Sequence, residues 1–305
     1  MSITLRDTIK ETVRYHLKEQ NGLAMGQCLT AVGWVGGTLP ELYENDGMVE
    51  LPMADVAGGG FVVGAALAGR RPMYIIRYQG FNWFNAPIII NYACKSKEIW
   101  GIPCPVFIRS IAMEGGIGPV AGSSHHSLYY RMPGIRIFSP MTSNEYTHTY
   151  ELFMKSDDVF YVSEHRGSYN NETDLNDITF DIPDIVLCPI SITRFAAMEA
   201  SAELLKVGIK AAVHHIFQIK PFTPSTLCIK SITNSKFGGI VLDDDYVDGI
   251  AKSLAFDLNT ISKSTMNVMG LENKSAGFYH HVDNLPPSSS SIIKRVLEIC
   301  KHNEN

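Results

Sequence analysis

The sequence predicts an α/β protein of two domains, each a wound, mostly parallel sheet, and three observations carry that prediction. The chain has 305 residues, 45% hydrophobic and 19% charged, enough for two cores that need no disulfide or metal staple. Short β-rich runs alternate with helical stretches, the pattern of parallel strands joined by crossovers. Finally, Asp157–Asp184 carries eight acidic residues and Arg166 but no lysine. Its later part, about 167–183, reads as an acidic, solvated interdomain linker. The domains are then 1–183 and the smaller 184–305.

Each element has a local reason. Ile3–Glu19 reads as a helix, with Ser2 or Thr4 near its cap and Ile9, Val13 and Leu17 at four-residue spacing; Asn21-Gly22 stops it. Leu23–Gly26 is a short buried strand, Gly33–Gly37 a glycine-rich turn, and Met48–Pro52 a second strand. Gly58–Gly69 is a helix of small residues that Arg71-Pro72 terminates before the strand Met73–Tyr78. Pro87–Ile99 and Thr142–Met154 read as helices, and Val106–Ser110, Ile135–Ser139 and Val159–Val162 as strands. Beyond the linker come strands at Ile185–Cys188, Ala211–His215 and Gly239–Leu242 and helices at Arg194–Val207, Thr223–Ser231 and Ile292–Cys300.

Composition excludes several classes of function. A formal charge of −5 gives no basic face for nucleic acid. Apolar runs such as Phe61–Leu67 are too short to span a bilayer. The amino terminus has no apolar signal core, so the expectation is a cytoplasmic protein. The cysteines at 28, 94, 104, 188, 228 and 300 lack metal-ligand spacing and read as reduced core residues. No metal site is expected on this chain.

Three blocks concentrate the chemistry. In Glu50-Leu-Pro-Met53-Ala-Asp55-Val-Ala-Gly-Gly-Gly60, a strand ends, an acid follows and a helix opens. Asp55 then stands at the C-terminal edge of a sheet, where wound α/β proteins hold ligands, or else caps the helix. Gly60 and Gly64 share one helical face and admit a close neighbour, in the core or from another subunit. Tyr78-Gln79-Gly-Phe81-Asn-Trp83-Phe84 crowds aromatics that can stack on a heterocycle or simply fill core. His125-His126-Ser127 follows a glycine-rich loop; imidazoles there suit proton transfer, or are surface residues. His214-His215 lies in a strand context that points its members to opposite faces. Neither this pair nor His280-His281 is assigned a catalytic role.

Taken in order and spacing, these blocks resemble the beta subunits of 2-oxo acid dehydrogenase decarboxylase components, of the pyruvate dehydrogenase type. More widely they resemble the thiamine-diphosphate-dependent transketolase superfamily. Met132-Pro133-Gly134 through Pro140, Ser163-Glu164-His165 and Gly239–Asp243 extend the likeness over nearly the whole chain. The resemblance implies a pyrimidine-binding transketolase-like domain followed by a transketolase C-terminal-like domain. It implies that Asp55 activates the cofactor's aminopyrimidine and that Phe81 and Trp83 pack on that ring, with Met53 and Gln79 beside it. It also implies that His125 or His126 shuttles protons. The family's Gly-Asp-Gly motif, which holds Mg²⁺ and the diphosphate, has no counterpart, because the chain contains no Gly-Asp dipeptide. An alpha-type partner is therefore implied, in an α2β2 heterotetramer.

Three departures mark a divergent member. Asp55 stands where the family has glutamate, one methylene and about 1.5 Å shorter. The interval from the histidines to Pro133-Gly134 is about one helical turn short. Gly26-Gln27-Cys28 replaces the usual Gly-Glu-Asp. The expected reaction is cleavage of a 2-oxo acid or ketose, with transfer of the acyl or aldehyde unit to a small-molecule acceptor such as a sugar. Transfer to a lipoyl carrier is the alternative within the enzyme class, and a degenerate, non-catalytic regulatory subunit the alternative outside it.

Overall fold

The Thr4 hydroxyl accepts a hydrogen bond from the Asp7 amide at 3.1 Å, so the first helix, α1 (Leu5–Lys18), begins one residue later. Its Leu5, Ile9, Val13 and Leu17 are all buried, one stripe turned to the core. The computed structural model describes residues 3–31, 33–114, 122–276 and 283–302. The glycine-rich loop before Gly122 and His280-His281 therefore lie largely or wholly outside the described residues.

The described chain separates into two units. The first takes the residues up to Met113, those from Gly122 to Asp174, and Ile219–Pro221. The second takes Leu175–Gln218 and the residues from Phe222 on, so the changeover falls inside the acidic stretch 167–183. Within that stretch, Tyr169 and Asn171 carbonyls accept the Arg6 and Leu5 amides, whereas Ile178 exchanges backbone bonds with Val213. The stretch is thus divided between the two units rather than left free.

In the first unit α1 is followed by β1 (Leu23–Gly26), a single left-handed turn α2 (Gly33–Gly37), β2 (Met48–Glu50), α3 (Asp55–Leu67) and β3 (Pro72–Ile76). Then come α4 (Asn82–Ile88), α5 (Cys94–Trp100), β4 (Phe107–Ala112), α6 (Ser127–Tyr130), β5 (Ile135–Phe138), α7 (Ser143–Met154) and β6 (Val159–His165). The helix expected over Pro87–Ile99 is two helices joined by a wide turn at Ile89–Ala93. Pro87 lacks an amide hydrogen, and the ladder widens just beyond it.

The strand order is β2-β1-β3-β4-β6-β5, with a further strand β9 (Gln218–Lys220) beside β5, and the pairs from β2 to β5 run parallel. Because β2 and β3 flank β1, the order reverses at β1, and ligands gather at the C-terminal end of such a reversal. β3, β4 and β6 are buried along their whole length, as expected of central parallel strands. On one side, Phe107 packs on Phe153 (centroids 5.1 Å apart) and Phe138 stacks on Phe160 at 5.4 Å. The Pro133-Gly134 turn has a steric cause: Gly134 has φ 71°, and a Cβ there would lie 1.7 Å from the Cys94 carbonyl oxygen.

The same sheet buries an ion pair. Arg109 on β4 donates from Nε to Glu164 Oε1 at 2.6 Å and from Nη2 to Oε2 at 2.9 Å, both side chains being essentially inaccessible. The Tyr169 hydroxyl also donates to Glu164, and Arg109 donates to the Thr38 hydroxyl, so the charges are nearly saturated.

The second unit contains β7 (Ile185–Pro189), α8 (Thr193–Lys206), β8 (Ala211–Val213), α9 (Thr226–Asn234), β10 (Gly239–Tyr246), α10 (Ile250–Ser262), β11 (Met266–Leu271) and α11 (Ser289–His302). Between β8 and α9 runs β9 (Gln218–Lys220), whose Ile219 and Lys220 count with the first unit. A parallel sheet ordered β11-β10-β7-β8 packs α8 and α11 against a core of Ile185, Leu187, Ala197, Leu204, Ile240 and Val296. α10 and β11, unassigned from sequence, complete this layer. Among the described residues, no helix is long and apolar enough to cross a membrane.

Candidate active site

The site is assembled where β1, β2 and β3 end. After β2, the Glu50 carboxylate accepts the Leu29 amide at 3.0 Å and the Thr30 amide at 3.3 Å, which pins the turn that carries Gln27 and Cys28. α3 begins three residues earlier than the glycine pattern suggested, so Asp55 lies inside its first turn. Ala54 occupies the cap position and makes no side-chain bond. Asp55 is therefore not the cap, although the helix N-terminus still favours a carboxylate there.

Instead Asp55 Oδ1 accepts from Asn85 Nδ2 at 3.1 Å. Asn85 also donates to the Phe81 carbonyl and accepts from the Tyr74 hydroxyl, which fixes its amide. Burial, with the charge of Asp55 added, pushes the Tyr74 phenol well above its usual range, so it stays a donor. Gly58 makes this approach of α3 to β3 possible, because a Cβ at that position would stand 2.9 Å from the Tyr74 hydroxyl.

These residues border a cavity of about 200 Å³ lined by Gln27, Met53, Asp55, Tyr78, Phe81 and Asn85, among others. Asp55 is half-buried, and the buried Gln27 Nε2 has no hydrogen-bond partner. A buried amide donor without an acceptor is costly unless a ligand satisfies it. The cavity thus offers one carboxylate acceptor and the apolar surfaces of Met53 and Phe81, with Gln27 in its wall, complementary to a flat, polar-edged ring.

Of the residues singled out from sequence, Met53, Asp55 and Phe81 line this cavity, and Gln79, Trp83, His125 and His126 do not. Gln79 is fully buried and committed elsewhere: it donates to Ser163 Oγ at 2.7 Å and the Ser110 carbonyl at 3.2 Å, and accepts the His125 amide at 2.6 Å. Ser163 Oγ also lies 3.1 Å from His126 Nδ1, inside the protein. Gln79 is thus a strut that holds both histidines. Trp83 is turned outward, 59% exposed, its ring 6.2 Å from that of His125. The short helical turn at Gln79–Phe81 causes this split, since it rotates successive side chains to different faces. Gln27, Tyr74 and Asn85 were not legible as site residues; Asn85, one helical turn beyond Phe81, was the available clue.

Residues 2–172 match the family described as transketolase, pyrimidine binding domain. The chain is 25% identical to the acetoin:2,6-dichlorophenolindophenol oxidoreductase subunit beta of Cupriavidus necator over 70% of its own length and 68% of that protein. It is 22% identical to the pyruvate dehydrogenase E1 component subunit beta of Rickettsia felis over 98% and 99% of the two chains. Among solved structures, a split gene transketolase in an inactive beta4 tetramer superposes with a TM-score of 0.73 at 12% identity, covering 99% of both chains. The carboxylate and ring-sized cavity at the reversal of the parallel sheet are thus those of a chain that belongs to the transketolase pyrimidine-binding-domain family, as a transketolase-like beta subunit.

Proposed function

We propose that this chain is the beta-type subunit of a heteromeric thiamine-diphosphate-dependent enzyme. The enzyme cleaves a 2-oxo acid or ketose and passes the acyl or aldehyde unit to a small-molecule acceptor such as a sugar. One observation carries the reading: Asp55 and the unpartnered Gln27 amide border a ring-sized cavity at the sheet's C-terminal edge. That donor set fits an aminopyrimidine. When bound, the cofactor supplies the carbanion chemistry. On this chain, Asp55 holds a proton at the pyrimidine ring nitrogen, Met53 and Phe81 pack on the ring, and Gln27 donates to its edge. His125 or His126, braced by Gln79 and Ser163, moves a proton at the substrate oxygen.

The diphosphate and Mg²⁺ are assigned to an alpha-type partner, since this chain has no Gly-Asp dipeptide. Calorimetry tests the division. The isolated chain is expected to bind thiamine diphosphate weakly, and the assembled pair to bind it with Mg²⁺ and turn over a 2-oxo acid or ketose. Tight Mg²⁺-dependent binding by the isolated chain would refute the split site. An assembled pair that turns over neither substrate class would identify a degenerate subunit.

α3 supports the assembly. Asp55 is its one polar residue, yet Val56, Gly60, Phe61, Gly64 and Leu67 are exposed. A helix apolar all round belongs in an interior. A Cβ at Gly60 or Gly64 would meet nothing within 4 Å, so Gly64→Leu should leave the isolated chain as stable as the parent. In the α2β2 assembly it should cost roughly 1–3 kcal/mol by overpacking. Sedimentation reads both states; an unchanged assembly would show that this face is not the contact.

A further inference from the structure

Gln79, Ser163 and His126 form a hydrogen-bond chain inside the first unit, and the groups at its ends dictate its direction. All three side chains are 0% exposed, so bulk water does not compete for their polar atoms. β4 and β6 pair with Ser110 directly opposite Ser163, and the Gln79 amide reaches both from the short turn after β3. Two backbone groups fix which way that amide points. The His125 amide can only donate, so the end of Gln79 that it meets at 2.6 Å is the oxygen Oε1. The Ser110 carbonyl can only accept, so the end that it meets at 3.2 Å is the nitrogen Nε2.

An amide nitrogen only donates, and its second hydrogen goes to Ser163 Oγ, 2.7 Å away. Ser163 Oγ thus accepts from Gln79 and has one hydrogen of its own to place. Among the described residues, its other partner is His126 Nδ1 at 3.1 Å. If Nδ1 carried a hydrogen, Oγ would accept twice and its own hydrogen would be buried without an acceptor, which native interiors avoid. Nδ1 is therefore the acceptor. A histidine with a lone pair on Nδ1 is neutral and carries its hydrogen on Nε2.

We infer that Gln79 and Ser163 are positioning residues that hold His126 as its neutral Nε2–H tautomer. Gln79 acts on both histidines at once, on His125 through its backbone amide and on His126 through the Ser163 hydroxyl. With its Nδ1 lone pair spent on Ser163, His126 takes part in chemistry as a hydrogen-bond donor through Nε2 and not as a base. A base drawn from this pair is then His125. That consequence rests on the thiamine-diphosphate reading; the tautomer does not.

The test uses the full chain without cofactor, so its failure is distinct from a failure of the thiamine-diphosphate reading. Histidine is isotope-labelled, and a long-range proton–nitrogen NMR spectrum at neutral pH reads which ring nitrogen carries the hydrogen; His126→Gln identifies the signals. In the parent chain the Nε2–H form of His126 should exceed the Nδ1–H form by at least about tenfold, the scale of stranding one buried hydroxyl hydrogen. Gln79→Glu reverses the chain at nearly constant size. The new carboxyl has at most one hydrogen, which the Ser110 carbonyl takes, so whether ionised or not it accepts from Ser163. Ser163 Oγ then accepts from His126, and the hydrogen should move to Nδ1. Ser163→Ala, which removes the hydroxyl alone, should lower the Nε2–H excess and serves if Gln79→Glu does not fold. An Nδ1–H or doubly protonated His126 in the parent chain would overturn the inference, as would a folded Gln79→Glu or Ser163→Ala chain that keeps the parent's tautomer ratio.

Discussion

In the assembled complex, Asp55→Asn is expected to slow hydrogen–deuterium exchange at C2 of bound thiamine diphosphate by about 10²–10⁴-fold, the usual contribution of a general acid–base group. The substitution keeps the size of the side chain, and an Asn oxygen can still accept from Asn85 Nδ2, the bond Asp55 makes at 3.1 Å. It removes the charge and the capacity to hold a proton. Folding should survive, because Asp55 does not cap α3. Asp55→Glu restores the residue that the resemblance leads one to expect. It must place an extra methylene beside Phe81 and Asn85 in a cavity of about 200 Å³, so it should bind cofactor and retain partial activity. Exchange in Asp55→Asn at the parent rate would reduce Asp55 to a structural carboxylate.

Arg109→Met is expected to lower stability by about 3–5 kcal/mol, because it strands the Glu164 carboxylate in the interior. The two side chains are 0% and 1% exposed, so water cannot replace the lost partner. For a unit of this size the melting temperature should fall by roughly 10 °C. The double variant Arg109→Met with Glu164→Leu should recover much of the loss, since no charge then remains to be buried; the Thr38 and Tyr169 hydroxyls would lose their ionic partners. Thermal melts of the parent, both single variants and the double variant close the cycle. A double variant no more stable than Arg109→Met would show that the pair's surroundings, not the unpaired charge, set the cost.

The layer architecture was legible because it rests on local physics. Hydrophobic spacing marked α1, Ser2 or Thr4 marked its start, with Thr4 the cap in the structure, and short apolar runs marked β1, β3 and β4. Local rules also fail locally. The helix expected over Pro87–Ile99 begins earlier and widens at Ile89–Ala93, and α3 begins three residues before its glycine run. For the site, the sequence named Asp55, Met53 and Phe81 through an acid at a strand end and an aromatic block, and these three do meet around one cavity.

The partners of those residues come from positions tens of residues apart, and no sequence period encodes that. Gln79 was read as a ring contact, but parallel register brings Ser110 and Ser163 beside it, and its amide bonds there instead. Gln27 follows β1, which lies between β2 and β3, and its amide nitrogen is left without a partner there. Asp177, in a stretch whose acidity reads as solvation, becomes the partner of His214 only when the chain beyond β8 folds back on it. By itself, then, the sequence determined the layered fold, the family and the acid at the sheet edge, all matters of spacing and residue type. Only the tertiary structure decided which polar groups are spent on one another and which are left for a ligand, because hydrogen-bond satisfaction depends on long-range packing.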